Sequence, residues 1–335
     1  MSQTVSIIGD GGMGTLCAIL LAENGVAVRL WSAFPEAADE LGRLRENRRF
    51  LPGAVLPAGV DVTGRDEEAL AGADLAVSAV PAQFMRRVWT RLRPHCPAAL
   101  PIVSVTKGIE NGTLLRPTQV LADVLDGGEP TRPVAALSGP SIAPEVALRQ
   151  PATVAIASAD ETLARRAQQL FSRPYFRVYT NPDQVGVEVA GATKNVIAIA
   201  AGILDGLGAG CNAKAALLTR GLAEITRLGL ALGARAETFA GLAGVGDLVT
   251  TCFSPVGRNR SLGEAIGRGK TLAEAQAATQ SVVVGVATTA SVVELAARRG
   301  VEMPIAQAVR AVLFGGVPPA AAVANLMSRP LKAEK

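Results

Sequence analysis

The chain has 335 residues, which is long enough for two domains, and 49% of them are hydrophobic while 19% are charged. Its formal net charge of +4 comes from 33 basic and 29 acidic residues spread along the sequence, so composition indicates a globular protein without a nucleic-acid or membrane surface. Four scattered cysteines, no CxxC pair and a single histidine argue against a zinc cluster or a disulfide framework, so we expect reduced thiols and no metal.

The first predicted elements are a β-branched strand at residues 4–8 (TVSII), a tight turn, and an apolar helical pattern that stops at Gly25. The turn contains four glycines: Gly9, Gly11, Gly12 and Gly14. The first would permit the bend, the second would let backbone amides approach a pyrophosphate, and the last would let the helix pack on the strand. The pattern predicts a dinucleotide-binding unit.

The strand begins so near residue 1 that the sequence leaves no room for a signal peptide. Every apolar run is interrupted by a charge or a helix breaker before it reaches membrane-spanning length. We therefore expect a cytoplasmic protein without membrane insertion.

Strand-like and helix-like segments alternate through the first half of the chain. Further strands are expected at residues 26–31, 60–64, 74–80, 101–105, 133–138, 152–157 and 176–180, with helical patterns such as 82–93 and 160–171 between most of them. This alternation predicts an α/β fold with a Rossmann-type, doubly wound and largely parallel sheet in a domain of residues 1–184.

Ligands of such sheets bind beyond the carboxyl ends of the strands. In this sequence those ends carry Val80-Pro81, Thr106-Lys107-Gly108 and Ser138-Gly139-Pro140-Ser141. We expect Lys107 to point into the cleft, because it directly follows a buried-type strand and precedes a glycine. The alternative is a surface lysine that caps a loop.

The strand patterns end after Pro182, and apolar helical periodicity replaces them. Helices are expected at residues 186–204, 213–232, 260–267, 271–278, 286–299 and 304–314. The pattern predicts a boundary near residues 181–187 and an all-α domain of residues 185–335.

Lys194 lies in the most apolar of these helices, among side chains that fill the i, i+3, i+4 and i+7 positions. Burial disfavours the charged form of an amine, so the pKa of a buried lysine falls from about 10.4 toward the range useful for proton transfer. The alternative is a lysine that extends to the surface. The neighbouring Gly191 and Ala192 favour burial, because small residues permit close approach. The following Asn195 also favours it.

A polar cluster interrupts the helical half at residues 241–263. It brings together Asp247, Thr251, Arg258, Asn259 and Arg260. Arginine presents a planar fork to phosphate oxygens, asparagine adds a neutral donor, and Asp247 could hold a lysine ammonium in place. The cluster predicts an anion site, although Arg260 is also compatible with a solvated helix charge.

Other proton-transfer residues are poorly placed. The only histidine, His95, lies in a proline-rich turn, and neither tyrosine, Tyr175 or Tyr179, is followed four residues later by a lysine. Lysine is therefore left as the acid and base.

Several segments carry a close resemblance to a known family: ENRRFLPG (46–53), SVTKGIE (104–110), LSGPSIAPE (137–145), GATKNVIAIAAG (191–202), GDLVTTC (246–252) and GRNR (257–260). In order and spacing the chain resembles the bacterial NAD(P)-dependent sn-glycerol-3-phosphate dehydrogenases over nearly its whole length. The resemblance implies hydride transfer between NAD(P)H and dihydroxyacetone phosphate, which gives sn-glycerol 3-phosphate for glycerophospholipid synthesis. It also implies that Lys194 donates or accepts the proton.

The resemblance further implies which residues bind the two ligands. The triose phosphate substrate would contact Lys107, Gly139, Ser141, Asn195, Asp247, Thr251, Gly257, Arg258 and Asn259. NAD or NADP would contact Gly9, Gly11, Gly12, Met13, Gly14, Phe34, Lys107, Ala143, Arg258, Val282 and Val284. The sequence leaves the oligomeric state open, with a homodimer as one alternative.

The sequence departs from the family pattern at three places. Ala33 replaces a basic residue after the second strand, Val284 replaces the glutamate of a Val-Val-Glu-Gly segment, and Gly257 replaces a common serine. No acidic or basic residue follows the second strand, with Arg29 and Arg43 the nearest basic residues in sequence, so we expect little discrimination between NADH and NADPH.

Two alternatives remain open. One is another member of the same superfamily, a β-hydroxyacid dehydrogenase or an oxidative enzyme with Cys252 as nucleophile, although Cys252 has no nearby base in the sequence. The other is a dinucleotide-binding redox sensor without catalysis, which the combination of Lys194, Asp247 and Arg258 disfavours.

Overall fold

The computed structural model describes residues 3–128, 131–279, 282–331 and 333, so the outer limits of the two predicted domains, residues 1 and 335, lie outside it. All eight predicted strand segments form strands: β1 (Thr4–Ile8), β2 (Ala27–Trp31), β3 (Val60–Thr63), β4 (Leu75–Ser78), β5 (Ile102–Ser104), β6 (Val134–Ser138), β7 (Ala152–Ala157) and β8 (Phe176–Asn181). They pair into one sheet in the order β3-β2-β1-β4-β5-β6-β7-β8.

The strands from β3 to β6 run parallel, while β7 is antiparallel to β6 and β8 is parallel to β7. Strands β2 and β3 are added on one side of β1. The chain then returns to the other side of β1, where β4 and the later strands are added. This reversal between β1 and β4 opens a crevice beyond their carboxyl ends. The predicted Rossmann-type sheet is therefore confirmed.

The sheet is covered on both faces and is followed by a helical half. The helices are α1 (Gly12–Glu23), α2 (Pro35–Leu44), α3 (Asp66–Ala69), α4 (Ala82–Leu92), α5 (Pro117–Asp126), α6 (Ala143–Ala147), α7 (Glu161–Phe171), α8 (Gln184–Gly206), α9 (Gly210–Ala231), α10 (Ala236–Phe239), α11 (Asp247–Phe253), α12 (Arg258–Gly267), α13 (Leu272–Ala277), α14 (Val284–Arg298), α15 (Pro304–Phe314) and α16 (Pro319–Met327). Apolar side chains of α1 and α7 cover one face, and those of α4 and α5 cover the other.

Helix α8 is the centre of the helical half and packs against α9, α11, α12 and α14. It is long and apolar enough to cross a membrane, but 94% of its apolar window is buried within the protein, as in a core helix. A bent pair of segments, Ala236–Phe253 and Arg258–Gly267, passes the same length and composition test only when taken together.

Helices α8 and α12 approach each other closely because both carry glycine at the crossing. A Cβ atom on Gly202 would collide with the backbone carbonyl of Arg260, and one on Gly263 would collide with that of Ile199. Since no Cβ separates the backbones, α12 is held at a fixed position relative to α8. This crossing joins the helix that contains the predicted lysine to the helix that begins with the residues of the predicted anion site.

The turn between β8 and α8 contains a capping aspartate. The Asp183 carboxylate accepts hydrogen bonds from the Gly186 amide at 2.8 Å, the Arg235 amide at 2.8 Å and the Thr238 hydroxyl at 2.6 Å. It therefore caps the first turn of α8 and joins that turn to α10. The predicted division between residues 184 and 185 falls in this turn of α8.

The six helical segments predicted for the second half each coincide with a helix. The sequence did not predict α16, and it treated residues 241–263 as a break in the helical pattern. The structure instead has a π-helical turn at Leu242–Gly246, which leads directly into α11.

Candidate active site

Lys194 is buried in the middle of α8, with 6% of its surface exposed, so it does not extend to the surface. Its Nζ lies 2.6 Å from Oδ1 of Asp247 and donates a 2.5 Å hydrogen bond to Oγ1 of Thr251. Thr251 stands one turn after Asp247 on α11, so both partners project from the same face of that helix. The ammonium is thus fixed by an anion and a hydroxyl.

A second lysine reaches the same carboxylate from the sheet. Lys107 follows β5, and its Nζ lies 2.7 Å from Oδ2 of Asp247 and 3.2 Å from the carbonyl oxygen of Gly139. The Ser141 hydroxyl donates to the same carbonyl at 3.0 Å. The predicted placement of Lys107 in the cleft agrees with this geometry, and the loop-capping alternative does not.

Two small residues lie where α8 meets the strand ends: Ser138, for which no contact was predicted, and Gly191, where close approach was expected. The Ser138 hydroxyl, at the end of β6, lies 3.5 Å from Oδ2 of Asp247. A Cβ on Gly191 would approach that hydroxyl to 2.7 Å and Cγ of Lys107 to 3.6 Å. Glycine at this point of α8 therefore lets the helix lie against both strand ends.

Burial and charge shift the pKa values of the two central groups in ways that suit proton transfer. Burial, with help from the positive charge of Lys107, lowers the pKa of Lys194 to about 8 although Asp247 opposes the change. Burial alone would raise the pKa of Asp247, but Lys107 and Lys194 outweigh it and hold that pKa below its ordinary value. The result is a permanent carboxylate beside an amine that titrates near neutrality.

The π-helical turn explains how Asp247 reaches this position. The amide of Gly246 donates to the carbonyl of Gly241, five residues earlier, at 3.2 Å. A Cβ on Gly244 would collide with the backbone of Phe239, so the widened turn requires glycine there. Such turns are frequent at functional sites, and this one places Asp247 at the buried start of α11.

The first turn of α12 carries the residues predicted to form an anion site. Gly257 is its N-cap, and Nη1 of Arg258 donates to the Val282 carbonyl at 3.3 Å. Nδ2 of Asn259 donates to Oδ1 of Asn195, next to Lys194, at 2.9 Å. The Asn259–Asn195 hydrogen bond joins the first turn of α12, a helix N-terminus with free amides, to the residue next to Lys194.

Arg260 differs from the solvated helix charge that the sequence allowed. Its Nε donates to the Ser254 carbonyl at 2.9 Å, and its Nη1 lies 2.5 Å from Asp205. Its side chain is only 13% exposed. Arg260 therefore holds the loop before α12 in place.

The glycine turn after β1 has the geometry that a dinucleotide pyrophosphate needs. Gly9 has a φ of +111°, and a Cβ there would come within 2.9 Å of the Ala79 carbonyl oxygen. A Cβ on Gly14 would collide with the Gly9 carbonyl, and one on Gly12 would lie 2.6 Å from the Phe50 carbonyl. The space beside Gly11, the N-cap of α1, is open to 4 Å. The residues present therefore fit a pyrophosphate at the start of α1.

A polar network that the sequence did not reveal supports this turn. The Ser32 hydroxyl donates to Oδ2 of Asp10 at 2.9 Å, and Nδ2 of Asn47 donates to the Asp10 carbonyl at 2.6 Å and to the Thr15 hydroxyl at 2.7 Å. Burial raises the pKa of Asp10, against the effect of the Ser32 hydrogen bond. Asn47 belongs to the ENRRFLPG segment, which therefore braces the glycine turn.

The other predicted cofactor residues lie in or just before the first turns of helices. Phe34, two residues after Ser32, is 67% exposed, and Met13 lies in the first turn of α1. Ala143 starts α6, Val284 starts α14, and Val282 is 46% exposed just before α14. Phe84, 41% exposed on α4, is a further exposed aromatic side chain that the sequence analysis did not select.

A basic side chain from a distant part of the chain lies at the end of β2. Nη1 of Arg91, on α4, donates to the Ala33 carbonyl at 3.1 Å. Arg29, one of the nearest basic residues in sequence, instead donates to the Ala71 carbonyl at 2.5 Å. No charged residue directly follows β2 in the sequence, and the fold brings the Arg91 guanidinium to this segment from α4.

The geometry disfavours the other proposed chemistries. Burial raises the pKa of the Cys252 thiol to about 12, so a thiolate nucleophile is not available near neutral pH. His95 is exposed at a turn after α4. Among the residues that the structure describes, no three His, Cys, Asp or Glu side chains group as a metal site would.

Comparisons with known proteins show the family of the chain. Residues 4–164 match the family model of the NAD-dependent glycerol-3-phosphate dehydrogenase N-terminus, and residues 183–324 match that of its C-terminus. The chain is 49% identical to the glycerol-3-phosphate dehydrogenase (NAD(P)+) of Geobacter sp. strain M21, over 100% of this chain and 99% of that one. Its identity to the Thermobifida fusca protein of the same name is also 49%, over 99% and 98% of the two chains.

The fold is likewise that of a solved relative. The crystal structure of glycerol-3-phosphate dehydrogenase from Coxiella burnetii superposes with a TM-score of 0.94 at 38% identity. The match covers 98% of this chain and 99% of that one.

Proposed function

Because the chain belongs to the NAD-dependent glycerol-3-phosphate dehydrogenase family, and so transfers hydride between NAD(P)H and dihydroxyacetone phosphate, we propose that Lys194 is the proton donor and acceptor of that reaction. The observation that carries the proposal is the buried ammonium of Lys194, held 2.6 Å from a permanent carboxylate at the carboxyl end of the sheet. When bound, the nicotinamide supplies or accepts the hydride at C2 of the substrate.

The protein's own residues provide the proton and the charge balance. In reduction, Nζ of Lys194 gives a proton to the C2 oxygen as that oxygen gains negative charge, and the amine is left neutral. Asp247 remains ionised in both states because Lys107 still pairs with its other oxygen. In oxidation, neutral Lys194 takes the hydroxyl proton, and the Asp247 charge stabilises the ammonium that forms.

We propose that the first turn of α12 binds the substrate phosphate. Gly257, Arg258 and Asn259 supply backbone amides, a guanidinium and an amide group there, and the absence of a serine side chain at Gly257 leaves this task to the backbone and Arg258. Asn195 and Thr251 would flank the reacting carbon, with Lys107, Gly139 and Ser141 on the side of the sheet.

We propose that the cofactor lies across the crevice from the glycine turn to α14. Its pyrophosphate would contact the turn formed by Gly9, Gly11, Gly12 and Gly14, next to Met13. Phe34 would stack near the adenine. Lys107, Ala143, Arg258, Val282 and Val284 would border the nicotinamide half.

The test of the catalytic proposal is Lys194→Ala, assayed by NADH and NADPH oxidation with dihydroxyacetone phosphate. We expect kcat to fall by at least about 10²- to 10⁴-fold, the range for loss of a general acid or base. Lys214→Ala is the matched control, because it removes a lysine of the neighbouring α9 that pairs with Asp205 of α8. A Lys194→Ala enzyme with near wild-type kcat and an unchanged pH profile would shift the role to Lys107.

A homodimer, a cytoplasmic location and the division between residues 184 and 185 are further proposals. The four cysteines are free thiols, which supports a reducing compartment. Light scattering of the purified enzyme tests the dimer, cell fractionation tests the location, and limited proteolysis near the turn before α8 tests the division.

A further inference from the structure

We propose that Arg91 binds the adenosine 2′-phosphate of NADPH, so that α4 rather than the segment after β2 sets the cofactor preference of this enzyme. The inference rests on the cofactor site proposed above. It assigns a role in specificity to a residue 58 positions away from the β2 end that it contacts.

The position of the Arg91 guanidinium is the first argument. In doubly wound folds the adenosine ribose lies just beyond the carboxyl end of β2, where an arginine accommodates a 2′-phosphate. Here β2 ends at Trp31, and Nη1 of Arg91 hydrogen-bonds the Ala33 carbonyl at 3.1 Å. The guanidinium therefore occupies the place that an arginine side chain after β2 would reach.

The guanidinium is fixed on two further sides. Its Nε donates to Oδ2 of Asp66 at 2.5 Å, and its central carbon lies 5.1 Å from the centroid of the Trp31 ring. Trp31 is fully buried, so its ring is a rigid support for the planar cation. An arginine held in advance loses little freedom when a phosphate binds.

The Nη2 group of Arg91 remains available to bind an anion. Nε and Nη1 have the partners named above, and the described hydrogen bonds include none from Nη2. The side chain is 41% exposed, so Nη2 can reach a ligand from the crevice. The Asp66 carboxylate accepts from Nε, and its charge is paired with the same guanidinium.

The exposed face of α4 carries a second arginine, Arg87, one turn before Arg91. Phe84, Arg87 and Arg91 recur at helical spacing on one face, and Arg87 lies 5.8 Å from the ring centroid of Phe84. Phe34, three residues after the end of β2, is also exposed. An adenine between the two aromatic side chains would bring its ribose toward Arg91, with Arg87 adding positive potential.

The test is direct binding to the full-length enzyme without substrate. Calorimetric titrations of wild type and Arg91→Ala would use NADH, NADPH, adenosine 5′-monophosphate and adenosine 2′,5′-bisphosphate. We expect Arg91→Ala to weaken NADPH and the bisphosphate by about 10- to 100-fold, the effect of one charged hydrogen bond. NADH and the monophosphate should change by less than about threefold, since neither carries the 2′-phosphate.

Two further variants make the result specific. Arg93→Ala removes the same charge from an exposed residue two positions along and should leave all four affinities unchanged. The double variant Asp66→Asn/Arg91→Ala removes the carboxylate that Arg91→Ala leaves unpaired, and it should still bind NADPH weakly. If the alanine variant does not fold, Arg91→Gln replaces it.

Equal losses for NADH and NADPH, or no loss for either, would overturn the inference. So would recovery of NADPH affinity in the double variant, because repulsion by Asp66 would then explain the loss. If wild type binds neither NADH nor NADPH, the proposed cofactor site itself fails, and the inference fails with it.

Discussion

Lys107 and Lys194 bind opposite oxygens of a single buried carboxylate, at 2.7 and 2.6 Å, although one follows a strand of the sheet and the other lies in the core helix. Two cations and one anion leave this point with a net positive charge when both lysines are protonated. That excess suits a substrate with a phosphate group and a carbonyl oxygen that becomes negative. Burial lowers the pKa of Lys194, and repulsion by the Lys107 ammonium lowers it further against the effect of Asp247.

The first prediction concerns pH. Since the pKa of Lys194 lies at about 8, kcat/KM for reduction should be constant at low pH and should fall as pH rises through about 8. Oxidation needs the neutral amine, so its kcat/KM should rise through the same value. Asp247→Asn removes the charge that raises the pKa of Lys194, and the midpoint should move to lower pH in both directions.

The profiles are measured with subsaturating substrate, so that they report the free enzyme. A midpoint that Asp247→Asn leaves unchanged would mean that Lys194 is not the titrating group.

The second prediction separates phosphate binding from chemistry. Arg258→Ala should raise KM for dihydroxyacetone phosphate by about 10- to 100-fold with a smaller effect on kcat, because the phosphate is present in both ground and transition states. Turnover of dihydroxyacetone, which has no phosphate, should be equally poor with or without Arg258.

Arg268→Ala is the control for the second prediction, since Arg268 is an exposed arginine at the end of α12 that pairs with Glu264. It should leave KM unchanged. Equal damage by Arg258→Ala to phosphorylated and unphosphorylated substrates would instead assign Arg258 to the cofactor alone.

The third prediction concerns a buried carboxyl outside the active site. Glu224 on α9 accepts hydrogen bonds from the amides of Ile305 at 2.7 Å and Ala306 at 3.3 Å, in the first turn of α15. Burial raises its pKa from 4.5 to about 7, against the effect of those amides. The folded state therefore binds this proton more tightly than the unfolded state does. The resulting stability is fully present below pH 4.5 and is lost as pH rises through about 7.

Glu224→Gln keeps an oxygen acceptor for Ile305 but cannot ionise. The free energy of unfolding of the variant, minus that of wild type, should therefore grow by up to about 3 kcal/mol as pH rises from about 5 to about 8. Urea unfolding at several pH values measures it. A difference that stays constant over this pH range would contradict the raised pKa of Glu224.

Local sequence patterns predicted much of the fold, whereas contacts between distant residues were harder to predict. The eight strands and the glycine turn are local patterns, and Lys194 is visible because a charge in an apolar helix is unusual. The contact between Arg91 and Ala33, which are 58 residues apart, depends on how α4 crosses the sheet, so no local pattern encodes it. The π-helical turn before Asp247 was taken for a break, because its glycines are also typical of loops.

The last prediction tests whether the close crossing of α8 and α12 positions the site. In Gly202→Ala the new Cβ would collide with the Arg260 carbonyl and lie 2.7 Å from the Glu264 amide, so the helices must separate. We expect a loss of about 1–3 kcal/mol in the free energy of unfolding, as for other overpacked positions. KM for dihydroxyacetone phosphate should also rise, because Arg258 and Asn259 move away from Lys194 together with α12. Gly42→Ala is the control: its Cβ would meet only Val62, at 3.8 Å, and alanine should stabilise α2 by about 0.5–1 kcal/mol. If Gly202→Ala unfolds at the wild-type urea concentration and keeps the wild-type KM, then the glycine crossing does not set the position of the phosphate site.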